Sequence, residues 1–438
     1  MPGPTPSRWT RASEAIGLAG AGLVALGLGV GGAPIRVGTG LVLIACLMDG
    51  PRLWRAARRE PLFWLALALT AYLCFLVAWR VLPWQDDFNE LLRGLSDAWV
   101  HTGGLALLFG WVLAGRRRVA LAMLGLAGLG LAYAWLRHGA PAEIRLYLSG
   151  ARADYHLGGN GPGLYFGSVL LALYSLGFAA LARLSPDRPV QRWLWPGLFC
   201  LAVVAATLPV LFNQSRAAWV ALMAVLPLTV WWQWRHPPAP LTAYPRPAVL
   251  TVGLALVLML GTVFGVREVI TQRLQAEEAV VAQVVQGQAV DVTTSVGTRV
   301  TLWQLARQSI EARPLLGHGP GGAEALIRAV PELAQYPHFH DLYLQIAVES
   351  GLLGLAATVT LYVLLAGALW RAWRQGRVEP DLALFVASAW ALYFIYSVFE
   401  IRHDDIRGFA FIALLMGLAY APWLNRGRNV GRGGARET

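Results

Sequence analysis

Residues 295–355 read SVGTRVTLWQLARQSIEARPLLGHGPGGAEALIRAVPELAQYPHFHDLYLQIAVESGLLGL and lie between two long apolar segments. The polar groups suited to chemistry collect in this stretch. A Gly-Pro turn fills positions 317–322, and His-Phe-His-Asp follows at 338–341. Two histidines at the start of a predicted helix, next to an apolar segment, indicate a site at the mouth of a membrane helix.

The composition excludes an ordinary soluble domain. Of the 438 residues, 56% are hydrophobic and 14% are charged, and the mean hydropathy is +0.51. The net charge of +11 comes from arginines in short clusters between apolar runs, so nucleic acid is not an expected partner. Cys46, Cys74 and Cys200 lie inside apolar runs and form no CxxC metal motif. We therefore predict an all-α polytopic membrane protein.

Apolar segments long enough to cross a bilayer, about 17–25 residues each, occur along the whole chain. They lie near 14–31, 34–50, 61–79, 97–115, 119–136, 161–183, 194–212, 217–234, 248–265, 349–370, 381–399 and 409–424. The first lacks a convincing cleavage site, so we expect it to be retained. The sequence thus predicts one integral membrane domain over 1–438 with about 12 transmembrane helices.

Arginines in the short loops set the expected orientation through the positive-inside rule. They cluster at 52–59, 116–118, 183–192, 235–246 and 371–377, which follow the second, fourth, sixth, eighth and tenth spans. Both termini are therefore expected in the cytoplasm, with residues 425–438 as a disordered basic tail. The long loop 266–348 between spans 9 and 10 is predicted to be a helical periplasmic cap.

The cap loop has its own helix signals. Residues Arg299–Ala312 are predicted to be a helix that Pro314 ends, and 321–333 a second short helix. The Gly-rich turn 317–322 lacks the preceding strand and the Lys of a phosphate-binding loop. We expect this turn to be a hinge that lets the cap approach the membrane.

These motifs resemble those of the O-antigen ligase and polymerase family of membrane glycosyltransferases. The family has an arginine-bearing helix, a P-L-L-G-x-G-P-G turn, and H-x-H-N before a helix that reaches G-L-L-G. Here 314–321 read PLLGHGPG and 351–354 read GLLG, while Asp341 stands where the family usually has Asn. The resemblance implies a GT-C-like fold and an enzyme of the bacterial inner membrane with a periplasmic active site.

His338, His340 and Asp341 are the polar residues of the histidine motif. A neutral imidazole takes a proton from a sugar hydroxyl near the working pH, and the resemblance assigns this catalytic base to His338. His340 is a secondary candidate, with orientation of the loop as its alternative role. Asp341 is expected to be the N-cap of the following helix.

Two arginines are predicted to bind the pyrophosphate of the donor. Arg216 follows the tight turn 213–215 and adjoins an apolar span, where a charge is costly unless it is paired or functional. It matches the S-R-x-x-W turn of the family, and snorkelling to headgroups is the alternative. Arg299 aligns with the helix arginine of the family and shares a helical face with Trp303 and Arg307. For Arg307 a solvated surface is the favoured interpretation.

The remaining arginines on the predicted outer side carry weaker signals. Arg267, Arg273 and Arg145 are secondary candidates for contact with the donor, and attraction to anionic lipid is their ordinary role. Arg152 has the same two interpretations. Arg313 is expected to lie on a solvated face or to anchor the interface.

Acidic residues on the predicted outer side offer a metal-dependent alternative. Asp86 and Asp87 form one such group, and 403–405, His-Asp-Asp, form another. Solvated loops are the favoured interpretation of both groups. Because the resembled family works without metal, we expect neither a metal nor a cofactor.

The resemblance implies that the enzyme transfers O-antigen from undecaprenyl diphosphate to a sugar hydroxyl of lipid A-core, with inversion and without metal. The expected partners are the lipid-linked O-antigen, the lipid A-core oligosaccharide and membrane lipids. O-antigen polymerase is the first alternative and protein O-oligosaccharyltransferase the second. A lipid-linked glycan transporter is the non-enzymatic alternative, but its spans should contain more ionisable residues than these do.

Overall fold

The structure, a computed structural model, describes residues 8–84, 101–113, 115–139, 155–157, 159–183, 189–236, 271, 294–402 and 405–424. These residues form helices and connecting loops, and no strand occurs among them. The predicted all-α fold is confirmed.

The helices follow the predicted apolar segments. They are α1 (Arg8–Val30), α2 (Gly32–Met48), α3 (Gly50–Ala57), α4 (Pro61–Trp84), α5 (His101–Leu113), α6 (Arg117–His138), α7 (Gly161–Ala172), a π-helical turn (Leu173–Gly177), α8 (Phe178–Arg183), α9 (Pro189–Phe212), α10 (Arg216–Arg235), α11 (Ser295–Ala312), α12 (Gly322–Arg328), α13 (Leu342–Arg374), α14 (Pro380–Ser397) and α15 (Ile406–Leu424). Every predicted span corresponds to one of these helices except 248–265, which lies outside the described residues.

Among the described residues, 8 helices are long and apolar enough to cross a membrane. Helices α2 and α3 are bent by 84° relative to each other, and the number of spans is 9 if this pair counts as one further span. The chain is therefore a multi-pass membrane protein. The predicted tail at 425–438 and the amphipathic part of the cap loop before 294 lie outside the described residues.

The bundle has a clear centre. Of the apolar window of α15, 83% is buried inside the protein, whereas the windows of α4 and α6 are 28% buried and expose large apolar side chains. Small residues bring α1 close to its neighbours, because a Cβ at Gly29 would stand 1.8 Å from the carbonyl oxygen of Gly130 on α6. The helices thus pack around α15 and turn their outer faces to lipid.

An ion pair joins α6 to α14 at one end of the bundle. The guanidinium of Arg117 meets the carboxylate of Asp381 in bidentate fashion, with Nη1–Oδ1 at 2.5 Å and Nη2–Oδ2 at 2.6 Å. The Asp381 side chain is 4% exposed and that of Arg117 21%. Such a fork-to-fork pair fixes both distance and angle between the two helices.

Further polar contacts tie helices and loops together in the described part of the chain. Arg116, next to Arg117, forms an ion pair with Glu14 of α1, and the Tyr420 hydroxyl of α15 donates to Glu60 at 3.0 Å. The loop at 115–117 is thus bonded to both α1 and α14.

Helix α13 is broken near its N-terminal end. Gly351 has φ 65° and ψ −176°, a non-helical conformation that favours glycine. The break frees the carbonyl oxygens of Val348, Glu349 and Ser350 from their helical partners. In a membrane protein these carbonyls need other donors.

The Gly-rich turn supplies two of the missing donors. The N–H groups of His318 and Gly319 donate to Val348 O at 2.7 Å and Glu349 O at 2.8 Å. The Tyr72 hydroxyl of α4 donates to Ser350 O at 2.7 Å. The predicted hinge is therefore wrong, because its backbone is bonded to the broken helix and fixes the cap in place.

The cap packs around a small apolar core of its own. Leu302 and Ala306 of α11, Ile327 of α12, Phe339 of the histidine motif and Val348 of α13 are fully buried together. The two cap helices correspond to those predicted, although α12 is shorter. Phe339 thereby ties the histidine motif to the cap.

The Arg117–Asp381 pair generates a stability prediction. Asp381→Asn should lower the free energy of unfolding by about 2–4 kcal/mol, because it leaves a partly buried guanidinium without its countercharge. The change is measurable as a lower thermal unfolding midpoint of the protein in detergent. Glu14→Gln, which breaks the more exposed Arg116–Glu14 pair, is the matched control and should cost less than about 1 kcal/mol. Equal losses in both variants would contradict the prediction.

Candidate active site

The histidine motif is held at the start of α13. The Asp341 carboxylate accepts from the backbone N–H groups of Tyr343 at 2.8 Å and Leu344 at 3.0 Å, so the predicted N-cap is confirmed. The Phe339 N–H donates to the side-chain oxygen of Gln345 at 3.3 Å. These bonds fix the loop on both sides of His340.

His340 adopts a conformation that is rare for residues other than glycine. Its φ is 53°, in the left-handed region, and backbone strain of this kind is concentrated at functional sites. Its Nδ1 lies 3.2 Å from Oε1 of Glu400, which follows α14. The strained backbone thus aims the imidazole at a carboxylate.

Glu400 is almost entirely inside the protein, with 1% of its surface exposed. Asn160 Nδ2 donates to Oε2, and the Ile401 N–H donates to Oε1 at 3.3 Å. Arg402 Nη2 is 3.9 Å from Oε1. A buried carboxylate with this many donors is compensated in its ionised form.

The pKa of Glu400 reflects two opposing causes. Burial alone raises the pKa, but the hydrogen bond from His340 and the positive charge of Arg402 lower it by more. The pKa falls from 4.5 to about 2. Glu400 is therefore ionised, and an ionised carboxylate only accepts hydrogen bonds.

His338 is buried beside His340. The ring centroids of the two histidines are 4.3 Å apart, and His338 Nδ1 accepts from the His340 backbone N–H at 3.3 Å. Burial, helped by His340 and Arg402, lowers the pKa of His338 from 6.5 to about 4. The His338 imidazole is therefore neutral at physiological pH.

These contacts set the tautomers of the two rings. Because Glu400 only accepts, His340 Nδ1 carries the proton and its Nε2 lone pair points away from the carboxylate. In neutral His338 the lone pair is on Nδ1, which already accepts the backbone N–H, so Nε2 carries the proton. The pattern makes Nε2 of His340 the better-placed proton acceptor.

The turn before Arg216 is tied to the same region. Asn213 Nδ2 donates to the carbonyl oxygen of Gly159 at 2.8 Å, and the next residue, Asn160, holds Glu400. Ser215 caps α10 through its hydroxyl, which accepts from the Ala218 N–H, so Arg216 occupies the first turn of α10. The structure thus brings the Arg216 hairpin to the loop that supports Glu400.

The helix of Arg299 approaches from the other side. The hydroxyls of Thr298 and Tyr336 are 3.3 Å apart, and the Tyr336 ring is 6.0 Å from that of His340. Arg299, half-buried in the first turns of α11, therefore follows Thr298, whose hydroxyl contacts Tyr336 beside His340. Arg307 is exposed and paired with Glu311 at 3.7 Å, as expected for a solvated surface.

Several predicted residues cannot be placed. Arg145, Arg152, Arg267, Arg273, Asp86, Asp87, His403 and Asp404 lie outside the described residues. Of the acidic group at 403–405, only Asp405 is described, and it accepts from the Arg407 N–H at 3.2 Å at the start of α15. The secondary roles assigned to these arginines stay predictions.

The three groups His338, His340 and Glu400 have ligand atoms within 4.8 Å of one another. As a metal site they fit poorly, because the Glu400 oxygens already accept from Asn160, Ile401 and His340. The Arg402 guanidinium also faces the carboxylate and would repel a cation. We assign no metal here, and the expectation of a metal-independent enzyme stays a prediction.

Three residues of the site, Glu400, Asn160 and Asn213, were not predicted from the sequence. Glu400 ends the apolar run of α14, and an ionisable residue at the end of a span is a signal for function. Asn160 lies in a loop with no motif around it, and Asn213 precedes the S-R-x-x-W turn without being one of its matched residues. Only the fold brings these three residues together.

Residues 201–359 match the family model described as O-antigen ligase. This segment is similar to the O-antigen ligase family. The resemblance inferred from the motifs is thereby confirmed, and with it a function of the O-antigen ligase or polymerase type in a glycosyltransferase-like enzyme. A search of curated proteins finds no match to the chain. The matched segment contains Arg216, Arg299, His338 and His340, whereas Glu400 and Asn160 lie outside the matched residues.

The depressed pKa of His338 generates a pH prediction. Between 6.5 and about 4 the unfolded chain binds a proton at His338 that the folded protein does not, so stability falls as pH drops through this window. The pKa of Glu400 adds a further loss only below 4.5. The thermal midpoint in detergent should fall with pH from about 7 to about 5, and less so in His338→Asn. The exposed His236→Asn is the control, and equal pH dependence in all three proteins would contradict the prediction.

Proposed function

We propose that this protein is an O-antigen ligase. It transfers a polysaccharide from undecaprenyl diphosphate to a sugar hydroxyl of lipid A-core, at the periplasmic face of the bacterial inner membrane. The observation that carries the proposal is the His340 Nδ1–Glu400 Oε1 contact of 3.2 Å inside a loop cluster flanked by two arginine-bearing helices. The family match supports the reaction type.

In the proposed mechanism His340 is the general base. Its Nε2 takes the proton of the acceptor hydroxyl as the oxygen attacks the anomeric carbon of the donor. The bond from that carbon to the phosphate oxygen breaks, and undecaprenyl diphosphate leaves. One displacement of this kind inverts the anomeric centre. Glu400 orients the imidazole and stabilises the imidazolium that forms.

The leaving pyrophosphate needs positive charge. Arg216 and Arg299 are proposed to supply it, because an arginine fork bonds phosphate oxygens in bidentate geometry. Arg216 comes with the hairpin tied to Gly159, and Arg299 with the helix tied to Tyr336. These links between the two arginine-bearing segments and the site support the proposed binding of the pyrophosphate.

The role of His338 follows from its bonds. The sequence-based prediction made His338 the base, whereas its Nδ1 accepts the His340 N–H and favours His340 for that role. We propose that neutral His338 holds the strained backbone of His340 and keeps its own Nε2–H as a donor. Both assignments place the base in the same motif.

The orientation is part of the proposal. The positive-inside rule makes the end of the bundle that holds the Arg117–Asp381 pair cytoplasmic. The histidine motif precedes the break in α13 and belongs to the opposite end. The active site then faces the periplasm, and both termini are cytoplasmic.

O-antigen polymerase remains the nearest alternative and differs in accepting another lipid-linked glycan. Protein O-oligosaccharyltransferase is the next. A lipid-linked glycan transporter is disfavoured, because the buried ionisable groups described here lie at helix ends and loops rather than along a path through the bundle.

The proposed roles predict different kinetic signatures. His340→Ala should lower turnover by about 10²-fold or more and leave the KM for the donor nearly unchanged, because a base acts on the acceptor. Arg216→Ala and Arg299→Ala should raise the donor KM and lower turnover, and replacement by Lys should rescue only part of the loss. Glycan transfer by purified enzyme from undecaprenyl-diphosphate-linked O-antigen measures both parameters.

Two variants serve as controls for this prediction. His338→Ala should lose less turnover than His340→Ala, and Arg307→Ala should stay near the activity of the unaltered enzyme. If folded His340→Ala protein transfers glycan at the normal rate while His338→Ala does not, the base is His338.

A deletion strain separates ligase from polymerase. Without this enzyme a ligase-dependent cell should lose all long chains from its lipopolysaccharide and accumulate lipid-linked polymer. Chromatography of the lipopolysaccharide measures the outcome. Cores capped by a single O-unit would instead identify a polymerase.

A further inference from the structure

A cavity of about 320 Å³ lies between α4 and the cap, apart from the histidine motif. It is lined by Leu76, Trp79, Arg313, Leu316, Gly317, His318, Gly319, Gly322, Ala325, Leu326 and Ala329. None of the proposed catalytic or donor-binding residues is in this lining. Its volume is within the usual range for small-ligand sites.

The lining has an apolar wall and a polar wall. Leu76 and Trp79 stand in the last turns of the apolar part of α4, and Trp79 is 56% exposed. Tryptophan at such a position marks the border between hydrocarbon and headgroups. Across from them are Arg313 and His318 of the cap. A ligand that is apolar at one end and polar at the other matches this lining.

The polar wall is preformed. The turn is held by the His318 and Gly319 N–H bonds to α13, and the Leu352 N–H donates to Pro314 O at 2.8 Å. The His318 ring is fixed by a 2.9 Å contact from Nε2 to Ser309 O. A wall built this way loses little freedom when a ligand binds.

The charge of this wall is positive. Glu311, the nearest acid in sequence to Arg313, pairs with Arg307 at 3.7 Å, and Glu324 of α12 pairs with Arg328. Arg313 is exposed and lines the cavity. An exposed guanidinium at headgroup depth is suited to a phosphate group.

The geometry points to a second substrate site, and this inference rests on the proposed function. We infer that the cavity binds the phosphate-bearing headgroup of the acceptor glycolipid. The helical stretch Leu342–Ser350 separates the turn from the histidine motif by roughly 13 Å, given a rise of about 1.5 Å per residue. A lipid anchored at Arg313 then presents a sugar several units away to His340, so the enzyme measures the length of its acceptor.

Acceptor kinetics test this inference. Arg313→Gln and Ala325→Trp, the second of which fills the cavity, should raise the KM for lipid A-core about tenfold or more while turnover and the donor KM stay constant. The delipidated, dephosphorylated core oligosaccharide should show the same KM with every variant. Arg307→Gln on the neighbouring helix is the matched control and should change nothing.

A binding measurement without donor separates this inference from the proposed function. Lipid A-core binding to detergent-purified protein should weaken about tenfold in both variants, and phosphatidylglycerol should compete poorly. If wild-type protein binds in this way yet transfers no glycan, the proposed function fails and the site stands. If transfer is normal but the variants leave acceptor KM and binding unchanged, or phosphatidylglycerol competes equally, the site is not an acceptor site.

Discussion

The break in α13 at Gly351 is the constraint on which the position of the cap and of the histidine motif depends. An unbroken helix would satisfy its own carbonyls and offer the cap nothing to bind. The break instead presents three carbonyl oxygens at the membrane border, and donors from the Gly-rich turn and from Tyr72 satisfy them. A Cβ at Gly351 would stand 2.0 Å from the Leu315 carbonyl oxygen, so the contact needs glycine on this side.

The same helix carries the histidine motif at its start. Asp341 is the N-cap of α13, and Phe339 packs into the apolar core of the cap. The cap, the break and His340 are therefore connected through α13. Burial of the charged Glu400 costs desolvation free energy. The donors from Asn160, Ile401 and His340 compensate the charge. Two of these donors, Asn160 and His340, come from loops distant from Glu400 in the sequence, whereas Ile401 follows Glu400 directly.

Local features were predictable from the sequence. The apolar spans, the cap helix predicted at Arg299–Ala312 and the N-cap at Asp341 depend on residues within a few positions. The described residues show the spans other than 248–265, the cap helix as Ser295–Ala312 and the N-cap. Glu400 was not predictable, because one acid at the end of an apolar run has no partner within local spacing of it. The turn 317–322 looked like a hinge because glycines permit motion, but the sequence cannot show that its N–H groups bind carbonyls thirty residues later.

The Glu400 contacts also have a consequence for biosynthesis. Glu400 follows α14, whereas its partners Asn160 and His340 are 240 and 60 residues earlier in the chain. A nascent chain that has already inserted the Arg216 hairpin, the cap and the histidine motif still lacks the carboxylate that orients His340. The proposed site is therefore completed only after α14 has been synthesised, late in the translation of the chain.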